Sequence, residues 1–145
     1  MAGVVDTGRF VGPTHALLRI VTGLLFLQHG TAKLLGFPQT NMMPAAGSLP
    51  WIAGVMELVG GVLIIIGLFT RPVAFLLSGL MAVAYWMAHA PQSTFPIQNG
   101  GELAILYCFV FLYLAAAGAG PWSVDGSIGR RRVTVYEEGP VDVRR

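Results

Sequence analysis

The chain alternates between long apolar runs and short polar breaks, and the breaks divide it into four runs. A hydrocarbon core about 30 Å thick is crossed by about 20 helical residues. Stretches near residues 14–37, 49–69, 72–90 and 102–119 meet that length. The first is opened by "GPT", with Pro13 near the predicted helix start, where a missing N–H is tolerated. "GFPQTNMMPAAGSLP" and "PQSTFPIQNGG" read as loops, "FTRP" as a tight turn, and "GAGPW" as the end of the last run. None of the runs alternates as barrel strands do, and an open sheet edge cannot exist in lipid. The pattern predicts an all-α integral membrane protein, a four-helix bundle with up-down topology.

Composition sharpens this. The chain has 145 residues, 54% of them hydrophobic and only 11% charged, against roughly 25% charged in soluble domains. Between Leu34 and Val124 the formal charges are Glu57, Arg71 and Glu102 alone. The net charge of +2 comes from basic residues near the ends, a membrane-topology signal that does not suggest nucleic acid as a partner. Arg9, Arg71 and the arginines at 130–132 and 144–145 fall on one side of a four-span layout, and loops 38–48 and 91–101 carry no Lys or Arg. Both termini are therefore expected in the cytoplasm of a multi-pass plasma-membrane protein: a short segment, 1–13, and a charged tail, 121–145, with "RRVTVY" as a candidate short strand. Trp51 and Trp86 then fall toward the outer interface and Trp122 at the inner one. The first run holds Arg19, His29 and Lys33, unlike a secretory signal. The lone Cys108 excludes an internal disulfide, a CxxC pair and an all-Cys metal site, and no metal site is expected.

The polar residues inside the runs carry the candidate chemistry. Arg19, Thr22, Phe26, His29 and Lys33 follow steps of three and four, one helical face, and a polar face should point into a bundle. Glu57 lies about 12 Å below the outer end of the second run, at the depth of His29. Gly60 and Gly61 stand beside it in a stripe of small residues that allows close helix packing. On the third run, Gly79, Ala82, Tyr85 or Trp86, and His89 share a side. His89 and Glu102 come from the outer ends of the third and fourth runs. The candidate cluster is thus His29, Lys33, Glu57, His89 and Glu102. Each member has a plainer reading. Arg19 and Lys33 can snorkel to headgroups. Glu57 can form a purely structural pair with Lys33 or His29. His89 and Glu102 can be solvated, and Glu102 can serve the helix dipole.

These residues carry a resemblance to the DoxX family of small four-span membrane proteins. The matching stretches are Arg19, "HGTAKLLGF", "GVMELVGGVLIIIGLFTRP", "NGGELAILY" and "GAGPWSVDGSI", in that order over roughly residues 14–128. By the resemblance, Arg19, His29, Gly30, Lys33, Glu57, Arg71 and Glu102 occupy the family's characteristic positions. The tail "RRRVTVYEEGPVDVRR" lies outside the pattern. The resemblance implies a subunit of a membrane redox or stress-response complex with protein partners, akin to subunits of a thiosulfate:quinone oxidoreductase. The chain shows no Cys–His metal pattern and no dinucleotide loop, so electrons for any redox step come from a partner or a bound small molecule. Three readings stay open: a quinone-linked subunit; a non-catalytic anchor or assembly subunit that docks a partner; and either a haem protein with His29 and His89 as axial ligands or a transport protein using its buried charges, with a homo-oligomer open in each.

Overall fold

The computed structural model describes residues 8–41 and 43–129. The regular elements among them are all helical. They are α1 (Gly8–Leu35), α2 (Leu49–Ile66), α3 (Thr70–Ala84) continued by a π-helical turn (Tyr85–His89), the single turn α4 (Pro96–Asn99), and α5 (Glu102–Ala117). Residues 124–129 add a last turn of helix. The "RRVTVY" segment and the tail arginines lie outside the described residues.

Three helical units, α1, α2 and Thr70–His89, are long and apolar enough to cross a membrane. The fourth, α5, has 16 residues, about 24 Å of helix. Large apolar side chains such as Leu17, Leu24, Phe75, Val83, Leu106 and Phe109 are exposed on its faces and on those of α1 and α3. In water such a surface would associate; in lipid it is the compatible face.

Helix ends explain the boundaries, and several differ from expectation. α1 begins at Gly8, so Pro13 lies inside it rather than at its start, and the helix forgoes one main-chain bond in its second turn. α2 starts after Ser48, whose hydroxyl accepts from Trp51 N at 3.4 Å. It stops at Ile66 because Gly67, at φ 67°, turns left-handed and returns its N–H to Ile64 O. α3 begins at Thr70, with Pro72 within its first turn. Asp125, far along the chain, caps it: Oδ1 accepts from Phe69 N at 3.0 Å and Oδ2 from Thr70 N at 2.8 Å.

Packing pairs α1 with α2 and α3 with α5, and the α2–α3 contact joins the pairs. The core between them is Phe26, Ile64, Ala74, Leu77, Tyr107, Phe111 and Leu114. Lipid gives helices no hydrophobic reason to associate, so close backbone approach matters. Gly30 supplies it: a Cβ there would run into the main chain of Leu58 and Glu57. Gly61 packs on the Leu27 backbone, while Gly60 makes room for the Leu77 side chain on α3.

Candidate functional site

The close approach at Gly30 sets α1 and α2 side by side one turn before Lys33, and Gly54 faces the Lys33 Cβ. Lys33 Nζ consequently lies 2.6 Å from Glu57 Oε1. Glu57 is 3% exposed. A charge pair this enclosed is held by strong attraction but has lost its water, so it depends on each partner for the other. The second carboxylate oxygen, Oε2, is enclosed and has no hydrogen-bond partner.

Aromatic rings stand beside the pair. The stripe Ala104, Tyr107, Phe111 and Leu114 orients α5 inward. Phe26 meets Tyr107 and Phe111 edge-on, at 5.2 and 4.8 Å between centroids. His29 sits edge-on to Tyr107 at 6.1 Å, and no described residue hydrogen-bonds its ring nitrogens. His89 arrives from the π-helical turn, where Ala90 N bonds Tyr85 O, five residues back. The wider turn brings His89 onto the face of Ala84 and Met81. The expected side shared by Gly79, Ala82, Tyr85 or Trp86, and His89 forms only in part: Tyr85 stacks on His89, while Gly79 is exposed, and a change of helical period leaves no trace in residue spacing. His89 Nδ1 lies 2.9 Å from the main-chain oxygen of Asn99 in α4.

Phe26, His29, Lys33, Glu57, Met81, Ala84, His89, Gly100, Leu103, Ala104 and Tyr107 line one cleft of about 270 Å³. Four of the five expected cluster residues meet there. Glu102 does not: it is exposed, two residues from Ala104 and hence on the opposite face of α5, at the first turn of that helix. Tyr107 was missed in its place, because an aromatic at helical spacing reads as core. The cleft falls below the roughly 300–1,000 Å³ of pockets enclosing drug-sized ligands. A porphyrin between His29 and His89 therefore does not fit. No group of three or more His, Cys, Asp or Glu among the described residues is arranged to hold a metal ion.

Arg19 belongs to a different place, at the far end of α1. It is fully buried, so it does not snorkel. Its guanidinium donates to Ala119 O at 2.9 Å, Ile64 O at 2.7 Å, Trp122 O at 2.7 Å and, more weakly, Pro121 O at 3.4 Å, and also to Ile65 O. These are carbonyls in the last turn of α2, where Ile64 O also accepts from Gly67 N, and in the loop after α5. Arg19 thus ties three parts of the chain together. Ser123 extends the tie: its hydroxyl donates to Gly120 O at 2.6 Å and accepts from Gly126 N at 3.1 Å. Arg71 is exposed near this end, against Gly118. His15, not singled out from the sequence, bonds Gly118 O at 2.9 Å and the Tyr113 hydroxyl at 3.1 Å. The signal for this end was "WSVDGSI", which contains a Ser and an Asp at capping positions.

Apolar outer faces, glycine-packed helices and a buried charge pair define a small helical membrane protein with a polar cleft inside its bundle. The chain belongs to the DoxX family, whose profile matches residues 14–90. An "Uncharacterized protein" of Haemophilus influenzae is 47% identical over 122 residues, covering 80% of this chain and 91% of the relative. "Putative oxidoreductase CatD" of Bacillus subtilis is 31% identical over 107 residues, 71% of this chain and 78% of the relative. "Inner membrane protein YphA" of Escherichia coli is 30% identical over 121 residues, 75% of this chain and 86% of the relative. No solved structure is significantly similar to the chain.

Proposed function

We propose that this chain is a membrane subunit of an oxidoreductase complex whose cleft holds the ring of a quinone or similar lipophilic carrier. The observation that carries the reading is the Lys33–Glu57 pair with His29 beside it on the wall of an otherwise apolar cleft. Ring oxygens need hydrogen-bond donors, which Lys33 and His29 supply. Redox chemistry at such a ring moves protons, which Glu57 can exchange. Phe26, Met81 and Tyr107 offer the flat apolar contact, and the isoprenoid tail leaves toward lipid past Leu103, which is exposed. The oxidoreductase name of the Bacillus relative supports the same direction. In this reading all four long helices cross the plasma membrane, both ends of the chain are cytoplasmic, and the cleft lies toward the outer leaflet. Electrons come from a partner protein or a second bound small molecule, as the sequence carries no Cys–His metal pattern and no dinucleotide loop.

The test is purification in mild detergent, followed by extraction and mass spectrometry of bound lipophilic molecules and associated proteins. Wild type is expected to retain quinone above the level of bulk membrane, and His29→Ala to lose it. Quinone no richer than in bulk lipid would defeat the reading.

A second reading, a docking subunit without its own ligand, draws on the firm attachment of segment 118–129 through Arg19 and Asp125, which directly precedes the basic residues 130–132 in the sequence. Partner recovery that survives removal of residues 130–145 would count against it.

A further inference from the structure

Two polar groups on the cleft wall are acceptors that lack a donor. His89 is the first. A main-chain carbonyl only accepts, so the contact of Nδ1 with Asn99 O puts the hydrogen on Nδ1. In the neutral ring Nε2 is then an acceptor, and no described residue donates to it. The ring is held by stacking on Tyr85, 6.5 Å away. Glu57 is the second. Paired with an ammonium at 2.6 Å, it is ionised and can only accept, and its Oε2 receives nothing. Oε2 is enclosed, but Oε1, on the side of Lys33 with which Glu57 shares the cleft lining, keeps a second lone pair for a donor in the cleft.

A dione offers only acceptors, so opposite these groups it gains no hydrogen bond. A dihydroxy ring offers an O–H at each of two opposed positions, and its oxygens still accept from His29 or from a spare N–H of Lys33. From this complementarity we infer that the cleft prefers the reduced, dihydroxy form of an aromatic carrier over its oxidised dione. The inference rests on the proposed ring-binding function and adds which redox form the resting site selects. It concerns binding alone.

Three probes on one tetramethyl ring separate the possibilities: tetramethylhydroquinone, tetramethylquinone and the hydroquinone dimethyl ether, which is bulkier and has no donor. Each is titrated by equilibrium dialysis, without oxygen, into the protein in lipid nanodiscs. The hydroquinone is expected to bind roughly tenfold or more tightly than the other two, the worth of a hydrogen bond to an ionised acceptor. His89→Phe and Glu57→Gln, each checked for monodisperse elution, are expected to shrink the gap below about threefold. A dione that binds as tightly as the hydroquinone overturns the preference and leaves the ring-binding function standing. An ether as tight as the hydroquinone overturns it too, since shape alone then governs. Binding of none of the three overturns both.

Discussion

Lys33 on α1 and Glu57 on α2 form an ion pair of 2.6 Å within the apolar bundle, set by the contact of Gly30 with the α2 backbone one turn away. The pair has a one-sided energetic character. Removing one partner strands the other in a medium that cannot solvate it. Lys33→Met is therefore expected to destabilise the protein by about 3–5 kcal/mol, and the double substitution Lys33→Met with Glu57→Leu to regain most of that loss. Thermal unfolding in one detergent, compared across the three proteins, reads both values. A double variant as unstable as the single one would show that the pair is not the source.

Gly30 has no room for a side chain. A Cβ there meets the Leu58 and Glu57 main chain, which cannot rotate aside. Gly30→Ala is expected to cost about 1–3 kcal/mol by forcing α1 and α2 apart. It should also lengthen the Lys33–Glu57 contact, so ring binding in the cleft should weaken with it. Gly79→Ala, at an open position, serves as the control and should be neutral.

Arg19 holds carbonyls of Ile64, Ala119 and Trp122 in one planar fork. A lysine carries the charge but not the fork. Arg19→Lys is expected to lose a large part of the stability lost by Arg19→Met, the latter about 3 kcal/mol for several buried carbonyls left without donors. Limited proteolysis within 118–129 checks the local consequence: both variants should be cut faster than wild type, with the helices themselves still resistant.

Asp125 caps α3 from 55 residues away. Asp125→Ala is expected to cost about 1–2 kcal/mol, while Asp125→Asn keeps much of the cap. Neither should change affinity in the cleft, because the cap lies at the opposite end of the bundle. A shift in ring binding caused by Asp125→Ala would join two ends that the fold separates.

The fold was legible where chemistry repeats at helical spacing. The apolar runs announced the helices, and the three- and four-residue steps from Arg19 to Lys33 announced a polar face. The same spacing placed Arg19 with His29 and Lys33, yet its partners could not be read, because they are main-chain carbonyls 45 to 103 residues distant and carry no signature in the sequence. His89 was named for its depth, but the side it faces depends on a π-helical turn that periodicity does not register. Glu102 joins the candidate cluster by depth and by the family resemblance. Depth does not fix the angle around a helix, and the α5 core stripe turns Glu102 outward. Tyr107 stayed hidden because a tyrosine at core spacing is usually core.

Photolabelling in native membranes with an azido-quinone, followed by mapping of the attached peptides, tests whether the cleft between α1 and α5 holds a quinone-type ring. The account expects label concentrated in α1 between Phe26 and Lys33 and in α5 between Leu103 and Tyr107, abolished by excess unlabelled quinol and sharply reduced in His29→Ala. Label spread over the lipid-facing leucines, unmoved by the competitor, would contradict it.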